Sequence, residues 1–160
     1  MCFKYVNKSK NANPLVKKNK KDAGWDIRSN EDAIIYPGET VVIDTGIHMA
    51  FKDGWYGEIV DRSGLALVGI STRAGIIDSP YREKVGVVLH NERPRIGYTY
   101  DMFSGESTPI DLRETNKFIV KNGDRIAQII PRQVCLDNPV EVESLDETDR
   151  GSGFGSSGIQ

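Results

Sequence analysis

Short apolar segments separated by turn residues constrain the fold of this chain more than any other feature. Residues 33–51 read AIIYPGETVVIDTGIHMAF, with β-branched segments on both sides of a Pro-Gly pair, and residues 117–134 read KFIVKNGDRIAQIIPRQV around an Asn-Gly pair. Both patterns predict a strand, a turn and a second strand, as in a β-hairpin. Similar segments recur about every 8–12 residues, which is typical of a sandwich or barrel. We therefore predict an all-β domain.

Two segments depart from this regular spacing of short strands. The sequence SGLALVG at residues 63–69 is the best helix candidate, and it is short. Residues 92–116 are polar and rich in turn residues, and long loops in compact domains are usually functional or disordered. Aromatic and apolar residues within them predict a sticky or self-packed lobe, so we expect an insert that offers a site for a protein partner.

The charge of the chain is unevenly distributed. Residues 1–21 contain seven lysines and no acidic residue, whereas the remainder contains 14 basic and 23 acidic residues. The excess of acidic residues after residue 21 argues against a nucleic-acid-binding domain. We interpret the basic N-terminal segment as a solvated strand and loop. No apolar segment approaches the ~18 residues of a membrane span, and the N-terminal residues lack a secretory pattern. Because Cys2 and Cys135 are the only cysteines, we expect reduced thiols and a cytoplasmic location.

Five short stretches contain residue types suited to phosphate or base recognition: AGWDI (23–27), DRSGLA (61–66), GIIDSPYR (75–82), GDRIAQI (123–129) and RGSGFGSSG (150–158). Taken singly, each also has a plain structural explanation, such as an N-cap at Ser63, an Asp-Ser-Pro surface turn or a Gly/Ser-rich terminus. Neither a P-loop pattern nor the usual zinc deaminase pattern occurs in the sequence.

In this order and at this spacing, the five stretches resemble the motifs of the homotrimeric dUTP diphosphatases, or dUTPases. The resemblance implies a jelly-roll subunit and a homotrimer whose active sites are shared between chains. It implies hydrolysis of dUTP to dUMP and pyrophosphate, which lowers dUTP and supplies dUMP for thymidylate synthesis. The implied cofactor is Mg²⁺, which the triphosphate and water hold without a direct protein ligand. The insert suggests a viral or phage source, and hence a host cytoplasm.

The stretch GIIDSPYR matches the catalytic and nucleoside-binding hairpin of that family. Asp78 matches the carboxylate that activates the attacking water, and Tyr81 matches the aromatic residue under the deoxyribose. The full set of residues that the resemblance assigns to uracil and deoxyribose is Gly75, Ile76, Ile77, Tyr81, Gly86 and Phe154.

The phosphate-binding set implied by the resemblance comes from three of the stretches. Its members are Arg62, Ser63, Gly64, Gln128, Arg150, Gly155 and Ser156. The start of a helix suits a phosphate because its backbone N–H groups are free to donate. Asp26 is expected to support the phosphate end, and Asp124 and Arg125 to form structural pairs. Asp61 departs from the family, which usually has Pro or Gly before the arginine.

We predict two parts in the chain, a β domain and a Gly-rich C-terminal segment. Residues 1–149 form the β domain, and residues 150–160 form a lid that closes over the nucleotide of a neighbouring subunit, as the resemblance implies. Phe154 would stack on uracil and Arg150 would approach the phosphates. The spacing between the two is one residue shorter than in the usual R-G-x-x-G-F-G pattern.

Three alternatives remain at this stage. A dCTP deaminase resembles this fold, but it needs a glutamate on the strand after the hairpin, and residues 85–89 (VGVVL) contain none. A dUTP-binding regulatory protein would act through the insert at 92–116, with hydrolysis secondary. A purely structural jelly roll has no reason to combine Asp78, Tyr81, Gln128 and Arg150.

Overall fold

The computed structural model describes residues 1–9 and 13–146. This part of the chain contains twelve strands and one short helix. In chain order they are β1 (Phe3–Asn7), β2 (Trp25–Arg28), β3 (Ala33–Ile35), β4 (Thr40–Phe51), β5 (Trp55–Val60), α1 (Ser63–Ala66), β6 (Ile70–Arg73), β7 (Ile76–Ile77), β8 (Lys84–Asn91), β9 (Ile96–Tyr100), β10 (Ser107–Asp111), β11 (Phe118–Val120) and β12 (Arg125–Gln133). The all-β prediction and the short helix are confirmed.

Two four-stranded sheets enclose the core. Their strand orders are β1-β4-β8-β6 and β2-β12-β5-β7. Alternate residues of β8 are buried, among them Val85, Val87 and Leu89. In the other sheet, a Cβ added to Gly57 would lie 2.5 Å from the ring of Phe51, so the two sheets pack closely at this glycine. The arrangement is a sandwich in which each sheet turns one apolar face inward.

The predicted hairpins have the right strands and turns but the wrong partners. Strand β3 pairs with β11 rather than with β4, and β12 pairs with β2 and β5 rather than with β11. Turn chemistry is local, so Pro37-Gly38 and Asn122-Gly123 do reverse the chain. Each turn leads from one sheet to another, because that connection buries the apolar faces of both flanking strands.

The segment between Asn91 and Lys117 forms a hairpin of its own. Strands β9 and β10 pair only with each other among the described residues. The base of the hairpin is closed by a bond from the Leu112 N–H to the Arg95 carbonyl. The side chain of Asn91, which is fully buried, donates to the carbonyls of Ile35 and Asn116 at 2.8 and 2.9 Å. The segment is therefore anchored to the core at both ends.

No helix in residues 1–9 and 13–146 has the length and apolar character needed to cross a membrane.

Candidate active site

One buried carboxylate accepts from three side chains, one before α1 and two on β12. Strands β2 and β12 place Asp26 opposite Gln128. Asp26 is 8% exposed, and its two oxygens lie 3.3 Å from Arg62 Nε and 3.3 Å from Arg125 Nη1. Gln128 Nε2 donates to the same carboxylate at 3.3 Å. We call Asp26, Arg62, Arg125 and Gln128 the Asp26 cluster; it carries two positive charges and one negative charge.

Helix α1 begins within residues 61–66, the stretch predicted to bind phosphate. Arg62 is the N-cap of α1 in an extended conformation, and its Nη1 also donates to the Arg125 carbonyl at 2.9 Å. Ser63 is therefore the first helical residue, and its alternative interpretation as the N-cap is wrong. The helix start has no side-chain cap, and Ser63 and Gly64 are exposed. The first N–H groups of a helix lack an intrahelical partner, so they are able to bind an anion together with Arg62.

The prediction that residues 75–82 form a β-hairpin is wrong in its pairing, because β7 pairs with β5 and the next strand, β8, belongs to the other sheet. We call this chain reversal at residues 75–82 the Asp78 hairpin. Strand β7 pairs with β5 through Gly57↔Ile77, and the Ile59 N–H donates to the Gly75 carbonyl at 2.7 Å. Gly75 has φ 105°, and a Cβ there would lie 2.6 Å from the Ile59 carbonyl oxygen. Gly75 therefore allows the backbone of this segment to pack closely against β5.

Asp78 lies where this hairpin turns. It is exposed, and its carbonyl accepts a bond from the Tyr81 N–H at 3.1 Å. Ile77 is buried in the core, whereas Ile76 is 57% exposed. Asp78 and Ile76 also border an open surface pocket with Trp55. The hairpin therefore presents a carboxylate and an apolar side chain to solvent.

Tyr81 and Gly86 share a second surface pocket on the other side of this hairpin. The Tyr81 hydroxyl donates to the Lys84 carbonyl at 2.9 Å, and Lys84 Nζ lies 3.2 Å from Asp44. Burial pushes the pKa of Asp44 upward, but hydrogen bonds from the Gly46 N–H, Lys84 and an asparagine outweigh it and hold the pKa below its ordinary value. The pocket is lined by Glu31, Val42, Asp44, Tyr81, Lys84 and Gly86.

The Asp26 cluster and Asp78 lie apart within one chain. Asp78 follows the Ile77–Gly57 pair, and Gln128 is opposite Val60. The backbones of Asp78 and Gln128 are separated by four residues along β5 and by two strand spacings across the sheet, a distance of about 16 Å. One chain thus brings together Asp26, Arg62 and Gln128 but leaves the hairpin at a distance. The predicted residues Arg150, Phe154, Gly155 and Ser156 lie outside the described residues.

A sequence model of the dUTPase family matches residues 10–96 and 112–158. The chain belongs to the dUTPase family. It is 37% identical over 158 residues to the deoxyuridine 5'-triphosphate nucleotidohydrolase of cowpox virus, covering 98% of this chain and 93% of the relative. Identity to the mouse (Mus musculus) enzyme of the same name is 39%, with coverages of 98% and 85%.

Solved structures of phage dUTPases share the fold. The Staphylococcus bacteriophage 80alpha dUTPase with dUPNHPP superimposes with a TM-score of 0.82 and 27% identity, covering 98% of each chain. The dUTPase of S. aureus phage phi11, described with a species-specific insert, gives a TM-score of 0.75 and 25% identity over 91% of this chain and 99% of that one. Residues 97–111, which the family model leaves unmatched, fall within the β9–β10 hairpin.

Sequence reasoning missed the ionic pairing at this site. It expected structural pairs for Asp124 and Arg125; Arg125 pairs with Asp26, whereas Asp124 accepts a bond from the Lys121 N–H. It gave no role to Lys84. Asp26 is far from both arginines in the chain, and Asp44 is far from Lys84, so no local pattern could have found these ion pairs.

Replacing Asp26 with Asn keeps the shape of the side chain and removes its charge. We expect the free energy of unfolding to fall by about 2 kcal/mol, because two partly buried guanidinium groups lose their counter-ion. Urea unfolding of the purified variant measures this change.

The matched control is Glu58→Gln, which breaks the more exposed Glu58–Arg132 pair of 2.7 Å. A surface pair contributes only about 0–1 kcal/mol. Equal losses in the two variants would contradict the structural importance of the Asp26 cluster.

Proposed function

We propose that the protein is a dUTP diphosphatase that hydrolyses dUTP to dUMP and pyrophosphate with the Asp78 carboxylate as the general base. The observation that carries the activity is the near full-length match to dUTPases, which spans the Asp26 cluster and the Asp78 hairpin. The fold similarity to a dUTPase with bound dUPNHPP supports the substrate class. The residue roles below are part of the proposal.

The chemical step requires a positioned water and a proton acceptor. In the proposal, Asp78 takes a proton from water as its oxygen attacks the α-phosphorus, and the α–β bond breaks to release pyrophosphate. Asp78 is exposed at the turn of a hairpin held by β5, so the carboxylate is accessible to substrate while its backbone is anchored.

The triphosphate would bind to the Asp26 cluster and the start of α1. Arg62 and Gln128 offer N–H donors, the Ser63 hydroxyl and the Gly64 N–H extend the set, and Asp26 holds the arginine in place. Such donors fit phosphate oxygens. Mg²⁺ prefers phosphate oxygens and water as ligands, so it would bind on the triphosphate and neutralise part of its charge. The phage phi11 enzyme is described with a structural Mg(II) ion.

The nucleoside would bind at the hairpin. Gly75, Ile76 and Ile77 supply backbone groups for uracil, and Tyr81 and Gly86 border the deoxyribose. A Cβ at Gly86 would lie 2.6 Å from Cγ1 of the exposed Val42, so a larger residue there would require that side chain to move. In the proposal, Phe154 stacks on uracil, and Arg150, Gly155 and Ser156 contact the phosphates as residues 150–160 close. The free thiols suit a reducing compartment such as the cytoplasm.

The separation between Asp78 and the Asp26 cluster supports a shared site. At about 16 Å between backbones, side chains of one chain are too far apart to contact the same phosphate. We infer a homotrimer in which the hairpin of one subunit faces the Asp26 cluster of another, with the C-terminal residues closing the site.

Pyrophosphate release from dUTP, dTTP, dCTP and UTP with Mg²⁺ tests the activity and the base. We expect release from dUTP alone, and a loss of about 10²–10⁴-fold in kcat for Asp78→Asn with little change in KM, because the base acts mainly in the chemical step. Near-normal turnover by Asp78→Asn would remove Asp78 from the mechanism, and ammonia release from dCTP would indicate a deaminase instead.

Mixing two inactive variants tests the shared site. After joint refolding of equal amounts of Asp78→Asn and Arg62→Ala, we expect about one quarter of the wild-type activity, because random trimers place two intact halves together in that fraction of sites. Each variant refolded alone is the control. If the site lies within one chain, the mixture stays as inactive as its components.

A second function is favoured by the surface of the β9–β10 hairpin. Tyr98, Met102 and Phe103 are 72%, 87% and 104% exposed, and all three lie on strand β9 or in the turn that follows it. Exposed apolar patches are typical of protein interaction sites. The phage 80alpha dUTPase is described as controlling transfer of virulence genes. We infer that this hairpin binds a protein partner, in addition to the hydrolytic role.

Excision of the hairpin separates the two functions. Replacing Ile96–Asp111 with Asn-Gly keeps the bond between Arg95 and Leu112, so we expect dUTP hydrolysis within about twofold of wild type and loss of the partner in a pull-down. The control is Tyr98→Ser with Phe103→Ser in the intact hairpin. Equal partner recovery by all forms would exclude the hairpin as the binding surface.

A further inference from the structure

Residues 62–69, which we call the α1 segment, include part of the proposed phosphate site but little helical structure to hold it. Helix α1 contains only four residues, and isolated helices this short are unstable in water. At the front of the segment, Arg62 is held by its ion pair with Asp26 and by its bond to the Arg125 carbonyl. Leu67, towards the other end, is 87% exposed, so core packing does not hold that end in place.

Arg93 supports the far end of the α1 segment from the connection between β8 and β9. Its Nε donates to the Val68 carbonyl at 2.6 Å, and the neighbouring Glu92 N–H donates to the Gly69 carbonyl at 2.8 Å. A Cβ added to Gly69 would lie 3.3 Å from Arg93 Cγ, so the aliphatic part of the arginine packs against this glycine. Two consecutive carbonyls of the kind that a helix end leaves without an intrahelical partner are therefore bound by two consecutive residues.

Arg93 is itself anchored to the core. Its N–H donates to the side-chain oxygen of Asn91 at 3.1 Å, and Asn91 is fully buried. Its guanidinium carbon lies 5.6 Å from the ring centroid of Phe118, the first residue of β11, within the range of a cation–π contact. The bond to Val68 is thus made by a side chain that is already ordered, so little further conformational entropy is lost in making it.

Short-range hydrogen bonds connect Val68 to Arg62. The Val68 N–H donates to the Leu65 carbonyl at 3.0 Å, and the Leu65 N–H donates to the Arg62 carbonyl at 2.8 Å. The backbone of Arg62 is therefore linked through two successive turns to the carbonyl that Arg93 binds.

We propose that Arg93 is a positioning residue, which orders the α1 segment and thereby keeps Arg62 aligned with the triphosphate. The inference rests on the proposed dUTP hydrolysis and adds a residue that does not itself contact substrate. It concerns only the phosphate-binding part of one subunit and requires no contact with the Asp78 hairpin of that subunit. Arg93 precedes Ile96–Asp111, so the excision of the β9–β10 hairpin leaves this support in place.

Two substitutions of similar length isolate the bond to Val68. A glutamine has its Nε2 the same number of bonds from Cα as the Nε of an arginine, whereas a methionine has no donor. Arg93→Gln and Arg93→Met both remove the charge and the cation–π contact with Phe118, so a difference between them reports the bond to Val68. Arg95→Ala is the control for loss of one positive charge on the same connection, because Arg95 lies 4.0 Å from the exposed Asp111.

Steady-state pyrophosphate release from dUTP with Mg²⁺, with deoxyuridine as a competitive inhibitor, tests the proposal. We expect the KM of Arg93→Met to rise about fivefold with a smaller change in kcat, and those of Arg93→Gln and Arg95→Ala to stay within about twofold of wild type. The inhibition constant of deoxyuridine stays at its wild-type value in all three variants, because a nucleoside lacks the phosphates that Arg62 is proposed to bind.

Amide hydrogen exchange in the substrate-free protein tests the ordering of the α1 segment separately. We expect residues 62–69 to exchange faster in Arg93→Met than in wild type or Arg93→Gln, because local opening becomes easier when the bond to Val68 is lost.

Equal KM values for Arg93→Met and Arg93→Gln would overturn the proposal, as would a rise in the deoxyuridine constant as large as the rise in KM. Thermal unfolding midpoints identify a variant that fails to fold, and Arg93→Leu, which also lacks a donor, then replaces Arg93→Met. If wild type releases no pyrophosphate, the proposed activity fails. Equal exchange of residues 62–69 in wild type and Arg93→Met would instead refute the role of Arg93 alone.

Discussion

The pairing of β5 with a different strand on each side is the constraint on which both groups of candidate site residues in a subunit depend. Strand β12 lies on one side of β5 and places Gln128, while β7 lies on the other side and places the Asp78 hairpin. The end of β5 leads directly into Asp61 and Arg62. At its middle, Gly57 admits the ring of Phe51 from the opposite sheet. The relative positions of these groups are therefore set by backbone hydrogen bonds and core packing, which are more precise supports than a loop.

The charges of the Asp26 cluster are held together by a single counter-ion. Asp26 lies between Arg62 and Arg125, and its burial makes an unpaired charge there costly. The carboxylate thus keeps the two guanidinium groups in place before any ligand binds. Donors that are aligned in advance do not need to reorganise during reaction, which is the main way in which such groups stabilise a developing phosphate charge. In the proposed mechanism, Asp26 competes with the triphosphate for Arg62.

The β9–β10 hairpin shows how this fold accepts additional surface without disturbing the site. Its strands pair only with each other among the described residues, and its ends are held by Asn91 and by the bond between Arg95 and Leu112. Insertions in surface connections cost little free energy when the ends of the insertion already lie close together. The hairpin is therefore free to vary in sequence while Asn91 remains in the core.

Some features of this protein are local properties of the sequence, and others depend on contacts between residues that are far apart in the chain. Turn chemistry at Pro37-Gly38 and Asn122-Gly123 and the apolar run at residues 85–89 are local properties. The strands, the short helix and the family motifs that contain Asp78 and Arg62 can therefore be predicted from the sequence alone. The partners of β3 and β12 and the contact of Asp26 with Arg125 are visible only in the folded structure. Each depends on which apolar faces are buried together, and that choice involves residues too far apart in the chain for any local pattern to record.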